Sequence, residues 1–294
     1  AMSKKHMEPS GYEISFRRWL YRNADPDLVN WDWVYANLFD TNQDNSPDTI
    51  VCVDESGRIR KFECWDDGLK EKLAIGYLNE DGEIERITYY TIKKEGYIDV
   101  YPDSEGDIVT IYSYRGNGSL EGIQFAPGAS LELIVKHKSE NHLYVLDTGE
   151  EVPGDVLIEW TQRISIAITQ SGGKISGKIS SCSVIGESIE TEGCLPFLGE
   201  MPKLTSFEIK GKSISFTVYD PAGHSFVWDE KHASILPVTY YFTGRISGNR
   251  ITGQFRSSVT NTVIRDPDPA GCRYRWYVKE TGTFTGIIRT GNNN

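Results

Sequence analysis

Apolar residues along this chain recur mainly at every second position, in short runs separated by glycine-rich turns. Ile84-Glu85-Arg86-Ile87-Thr88-Tyr89 is one such run. A period of two sends alternate side chains to opposite faces of an extended strand, so the pattern predicts β-structure throughout. The one place with helical spacing follows Asp25-Pro26, where Leu28, Trp31 and Tyr35 fall roughly on one helical face. Trp31, Trp33, Tyr35 and Phe39 share strand parity there as well. We expect a helical turn followed by a strand, after an aromatic-rich strand-like run at residues 12–21.

From residue 49 to 125 a weak repeat is visible. Asp54-Glu55-Ser56-Gly57-Arg58-Ile59 is echoed by Asn79-Glu80-Asp81-Gly82-Glu83-Ile84 and by Asp103-Ser104-Glu105-Gly106-Asp107-Ile108. A degenerate copy, Arg115-Gly116-Asn117-Gly118-Ser119-Leu120, follows. Each copy puts a turn-forming cluster in front of an alternating strand, and its glycine supplies the positive φ of a tight hairpin. A meander of hairpins is expected.

The polar stretch Glu150-Glu151-Val152-Pro153-Gly154-Asp155 is the best domain boundary, giving domains at 8–150 and 155–290. Beyond it, eight strands are expected at 158–169, 174–180, 206–209, 213–218, 238–244, 250–256, 273–279 and 283–288. Glycine recurs among them in one phrase, as in Gly173-Lys174-Ile175-Ser176-Gly177 and Gly282-Thr283-Phe284-Thr285-Gly286. Glycine inside a strand weakens it but permits the sharp coiling of a small closed barrel. Eight strands enclose just enough room for side chains or one small ligand.

On these hairpins and this strand count, residues 155–290 resemble a lipocalin-like (calycin) barrel. The expected class is therefore all-β, with an eight-stranded antiparallel lipocalin-like barrel preceded by a second strand-rich domain. The resemblance implies a small hydrophobic or aromatic ligand inside the barrel. Two such domains in tandem would resemble some natural-product cyclases and carotenoid-modifying enzymes.

Composition narrows the partners. The net charge is −11, and no basic stripe offsets it, so nucleic acid and anionic membranes are disfavoured. No apolar run approaches membrane-spanning length. Ala1-Met2-Ser3-Lys4-Lys5 lacks a following apolar run and is not a signal peptide, which makes a cytoplasmic protein the default expectation unless a leader was removed ahead of it. The five cysteines, Cys52, Cys64, Cys182, Cys194 and Cys272, lack zinc-ligand spacing. Cys182 and Cys194 could pair in an oxidising compartment; free, half-buried thiols are expected.

Two stretches and a set of barrel aromatics carry candidate chemistry. Asp40-Thr41-Asn42-Gln43-Asp44-Asn45-Ser46-Pro47-Asp48 spaces oxygen ligands so that Asp40, Asn42, Asp44 and Asp48 could wrap a structural Ca²⁺. It resembles the calcium loops of bacterial integrin-like repeats, although Val51 stands where an EF-hand has Glu. A solvated Asx-rich loop is the alternative. The connection 219–236 holds His224, Trp228, Asp229, Glu230 and His232, and is expected to be a long lid-like loop. His232 beside Asp229 and Glu230, or His224, could transfer protons near neutral pH, and Trp228 could stack on an aromatic substrate. A polar surface loop with one anchoring Trp is equally compatible. Trp160, Tyr240, Tyr274 and Trp276 fall on barrel strands and are expected to line a ligand site.

No phosphate loop, dinucleotide turn, nucleophile elbow or His-Glu-x-x-His is present. The leading expectation is a cyclase or isomerase without a redox cofactor, acting on a small apolar or aromatic substrate. The alternatives are a non-catalytic carrier using the same cavity and a calcium-stabilised β protein that binds glycan or protein.

Overall fold

The computed structural model describes residues 36–39, 41, 48–54, 58–66, 71–90, 96–103, 105–153, 157–171, 173–185, 201–229, 232–268 and 271–290. Every regular element among them is a strand, so the all-β expectation holds. No helix among the described residues is long and apolar enough to cross a membrane. The chain forms two compact units, Ala1–Ala126 and Pro127–Asn294. They part upstream of the Glu150–Asp155 stretch, because the strand at Ser130–Val145 pairs with the C-terminal barrel.

Among the described residues the first unit is an eight-stranded antiparallel meander. Its strands β1 (Ala36–Phe39), β2 (Thr49–Val53), β3 (Ile59–Trp65), β4 (Lys72–Leu78), β5 (Ile84–Tyr90), β6 (Gly96–Pro102), β7 (Ile108–Arg115) and β8 (Leu120–Phe125) lie side by side in chain order. The expected helical turn and the run at 12–21 lie outside the described residues. The repeated turns form as expected. Asn79 Oδ1 accepts the Asp81 and Glu83 N–H groups at 3.0 and 2.9 Å, and Asp103 Oδ1 accepts those of Glu105 and Asp107 at 3.0 Å each. Gly82 and Gly106 follow at φ 84° and 92°, values that explain their place in the repeat. Ile50, Ile75, Val100, Val109 and Tyr112 are buried, with Tyr97 stacked on Tyr114 at 4.6 Å.

The second unit is a nearly closed antiparallel barrel. Its strands are β9 (Ser130–Val145), β10 (Leu157–Ser171), β11 (Lys174–Ile185), β12 (Lys203–Lys210), β13 (Ser213–Asp229), β14 (His232–Ser247), β15 (Arg250–Ser257), β16 (Thr260–Arg265) and β17 (Arg273–Arg289). Neighbours run β11-β10-β9-β17-β15-β14-β13-β12, so the first and last long strands pair with each other. The remaining gap lies between β11 and β12, where Leu204 and Phe207 would touch a Cβ placed at Gly177. β16 pairs with the first half of β17, beyond the ladder to β15.

The count of eight agrees with the sequence, but the membership differs in two places. Residues 273–279 and 283–288 belong to one continuous strand, β17, and β9 supplies the strand this removes. Gly282, which breaks the apolar pattern between them, is an interior position without room for a side chain. A Cβ there would lie 2.0 Å from the Lys136 carbonyl oxygen and 2.5 Å from the Phe255 ring. Phe255 faces Gly282 and Phe284 faces Gly253 across the β15–β17 ladder, so each ring lies against a glycine of the neighbouring strand.

Tyr219–Leu236 is not a loop, contrary to expectation. Both arms belong to the β13–β14 hairpin, with His224 opposite Leu236 and Phe226 opposite Ser234. Pro221, which argues against a strand, sits where the ladder skips between Asp220 and His224, so its missing N–H breaks no pair.

Inward side chains form three layers. The floor is apolar, with Phe216 stacked on Phe242 at 4.4 Å and Phe255 and Phe284 against them. A polar layer follows at His137, Gln162, Asp220, Tyr240, Ser257 and Glu280, all buried. Trp276, Val278 and Ile264 close the other side, packed with Leu143, Phe226, Leu236 and Tyr274.

Candidate active site

The polar layer is assembled by strand parity. On β9, Leu131, Leu133 and Val135 point inward, and the next two inward positions are His137 and Ser139. On β17, Trp276 and Val278 are followed by Glu280 and then Gly282. Ser139 faces Glu280 across the β9–β17 ladder, one inward step from the pair of His137 and Gly282. The two charged residues therefore enter the interior side by side, on paired strands buried on one face.

Glu280, 1% exposed, is the hub. Its Oε1 lies 2.5 Å from His137 Nδ1, and its Oε2 accepts the Tyr240 hydroxyl at 2.9 Å. Its backbone N–H donates to Ser257 Oγ at 2.9 Å. His137 Nε2 meets Gln162 Oε1 at 3.1 Å, and the Gln162 amide donates to Cys182 Sγ at 2.9 Å. Trp160 stacks flat on His137, with ring centroids 3.6 Å apart. His224 approaches from β13, its Nε2 3.8 Å from Glu280 Oε2. That nitrogen is buried and has no hydrogen-bond partner among the described residues.

The electrostatics separate the roles. Burial pushes the Glu280 carboxyl up, but the hydrogen bond and charge of His137, with His224 and Tyr240, outweigh it and hold the group below its ordinary range. Burial, reinforced by the Glu280 charge, raises the Tyr240 phenol and keeps it a proton donor. Burial lowers the His224 imidazole despite the nearby carboxylate, which favours its neutral form. Asp220 is pushed up by burial, partly offset by the Ala222 N–H that its Oδ1 accepts at 2.9 Å. The Cys182 thiol is free and is raised by burial to about 12, so it stays protonated. The layer thus holds an ionised carboxylate, a phenolic donor and a neutral imidazole within a few ångströms, shielded by apolar layers. Such groups can take a proton from a bound molecule and return one.

The structure brings some of the expected residues together and separates others. Tyr240, Trp160 and His224 belong to the buried network. Trp276 is buried in the apolar layer above it, edge-on to His224 with ring centroids 6.4 Å apart, and Tyr274 packs half-buried against the same cluster. His232 is exposed at the start of β14. The hairpin carries it past the polar layer, because register pairs it with Asp229 at the tip. Trp228 and Asp229 lie on β13, and Glu230 lies outside the described residues.

In the candidate calcium stretch, Asp40, Asn42 and Asp44 also lie outside the described residues. Asp48 is buried and accepts hydrogen bonds from the Thr41 N–H at 3.0 Å and from the Thr41 and Thr49 hydroxyls at 2.8 Å. Among the described residues no group of three or more His, Cys, Asp or Glu side chains is placed to hold a metal ion.

Sequence reasoning missed Glu280, His137, Gln162 and Asp220. The signal was present as a charged or polar residue at the inward parity of an otherwise apolar strand. Comparison with family models, curated proteins and solved structures finds no match to this chain, so the geometry of the polar layer carries the functional argument.

Proposed function

We propose that the barrel is a proton-transfer catalyst of the isomerase or cyclase type, acting without a redox cofactor on a small apolar or aromatic molecule. The observation that carries this reading is the convergence of Tyr240 and His224 on one oxygen of a buried, ionised Glu280. Glu280 Oε2 would accept a proton from the bound molecule, and the Tyr240 hydroxyl would deliver one to carbon elsewhere on it. His137 would hold the carboxylate in place from its other oxygen, with Gln162 orienting the imidazole. Positioned acid–base groups of this kind contribute about 10²- to 10⁴-fold. The up-and-down strand order, with first and last strands paired, is also that of lipocalin-like barrels, and supports a ligand held inside.

The test is solvent-isotope exchange. The protein is incubated with a small-molecule extract in D₂O, and compounds that gain carbon-bound deuterium only in its presence are sought by mass spectrometry. Glu280→Gln should slow that exchange by about 10²-fold or more. A compound that co-purifies with the protein but never exchanges would point to the carrier alternative.

A further inference from the structure

A second feature of the polar layer bears on what kind of molecule it receives. His224 Nε2 is fully enclosed by protein yet makes no hydrogen bond among the described residues. Glu280 Oε2 stands 3.8 Å away, beyond bonding reach. A buried polar atom left in this condition costs about 1–3 kcal/mol, so native interiors rarely retain one without a use. Glu280 Oε2 accepts one hydrogen bond, from Tyr240 at 2.9 Å, and a carboxylate oxygen has capacity for a second. An oxygen placed to one side of the Nε2–Oε2 line would reach both atoms.

The charge of that group is constrained too. Glu280 and His137 form an internally compensated pair at 2.5 Å, and the His137 nitrogens face two oxygens, Glu280 Oε1 and Gln162 Oε1. Apolar layers flank the pair on both sides. A ligand anion would meet the Glu280 carboxylate, and a ligand cation at this position would meet a carboxylate already paired with His137, while burial pushes the other carboxyl of the layer, Asp220, toward its neutral form. Burying an uncompensated charge is far costlier than burying a hydroxyl. A hydroxyl also suits either tautomer of His224, since it both donates and accepts.

We infer that the barrel recognises a neutral molecule through a hydroxyl group, an alcohol, phenol or enol, which bridges His224 Nε2 and Glu280 Oε2. This rests on the proton-transfer reading only in placing the ligand in the same layer. It makes His224 a binding residue and defines the substrate as uncharged at the end that enters.

Phenol, benzoate and benzylammonium serve as probes of similar size and different charge. Side-chain ¹H–¹⁵N spectra of labelled protein report on His224 directly. Phenol should shift the His224 Nε2 resonance in a saturable manner, while the other two leave it in place at equal concentration. His224→Phe should weaken phenol binding about tenfold, the order expected for one buried hydrogen bond, and the exposed His232→Phe should not change it. His224→Gln, which keeps a polar group on a flexible stem, guards against a folding defect and should recover part of the affinity. Equal shifts from benzoate or benzylammonium, absence of any phenol shift, or phenol binding indifferent to His224→Phe would each overturn the inference. Loss of deuterium exchange with phenol binding intact would sink the catalytic reading and leave this one standing.

Discussion

The two units each bury a glutamate to 1% exposure, Glu63 in the meander and Glu280 in the barrel, and the two are treated very differently. Glu63 is gripped by the Lys61 and Lys72 ammonium groups at 2.9 and 3.0 Å, and Trp65 Nε1–H adds a bond at 3.2 Å. Both lysines are about a quarter exposed, at 23% and 27%, so their charged heads reach water while their stems cover the carboxylate. Among the described residues Glu280 has no lysine or arginine partner; its charge rests on an imidazole, a phenol and a second imidazole held slightly too far away. Fixed cations keep a carboxylate inert, whereas titratable neighbours leave it able to exchange protons. Burial alone therefore does not mark a site; the nature of the partners does.

The largest expected contrast comes from removing each carboxylate. Glu280→Ala should cost about 3–5 kcal/mol, because His137 and Tyr240 lose their shared acceptor in a dry interior. Glu63→Ala should cost only about 1–2 kcal/mol, because Lys61 and Lys72 can turn to solvent. Urea denaturation followed by circular dichroism measures both, and equal losses would remove the distinction drawn between them.

How much of this contrast the sequence could show is instructive. Tyr240 and Trp160 were legible as barrel residues, His224 was legible only as a proton-transfer candidate on an expected loop, and the hairpin repeat of the meander was legible from its Asx-Gly turns. Glu280 and His137 were not, for related reasons. Gly282 looks like a turn between two strands, and splitting β17 there moves Glu280 to a strand end, where a charge needs no explanation. Placing the boundary at Glu150 removes β9 from the barrel and takes His137 with it. Both errors arise because local glycine and polar signals cannot report which distant strand fills the space beside them. Lys279 and Glu280 look alike in sequence, and only the pairing of β17 with β9 and β15 decides which one is buried.

Acid titration sharpens the comparison at the next level. His224 is lowered by burial from its ordinary 6.5, against the attraction of Glu280 and with repulsion from His137. Its folded form therefore resists the proton that the unfolded chain takes up. Its contribution is complete above 6.5 and is lost as pH falls from there through the folded value. Glu63 and Glu280 are both lowered from 4.5, so their contributions are complete above 4.5 and are lost on further acidification through their folded values. A decline in stability between pH 6.5 and 4.5 that disappears in His224→Phe is expected. A decline unchanged by that substitution would assign it elsewhere.

Asp220 has the opposite sign. Burial raises it above its ordinary 3.8, so its folded form prefers the proton and it opposes folding once pH rises through the folded value. Asp220→Asn keeps an oxygen for the Ala222 N–H and removes the charge. It should stabilise the protein by about 1 kcal/mol at neutral pH and leave stability unchanged in acid, where the carboxyl is already neutral. Thermal unfolding at the two pH values reads the difference, and a loss of stability at neutral pH would show that the buried charge has a compensating partner.

The smallest effect belongs to the barrel's exposed imitation of the same chemistry. His142 Nδ1 meets Glu151 at 2.6 Å and Nε2 meets Glu140 at 3.2 Å, an imidazole between two carboxylates much as Glu280 lies between two imidazoles. These hydrogen bonds raise the His142 imidazole above its ordinary 6.5, so its contribution is complete below 6.5 and fades as pH rises through the folded value. The pair with Glu151 also fastens the turn at 146–150, where Tyr144 bridges Glu151. The group is open to water on one side, however, and ion pairs within reach of solvent are weak and screened by salt. His142→Gln should thus shift stability only slightly, in a sense that added salt reproduces in the wild type, whereas moderate salt should leave the effect of Glu280→Ala untouched. Equal salt sensitivity at the two sites would mean that the polar layer is open to water, and that the barrel interior lacks the low-dielectric setting on which its proposed proton chemistry depends.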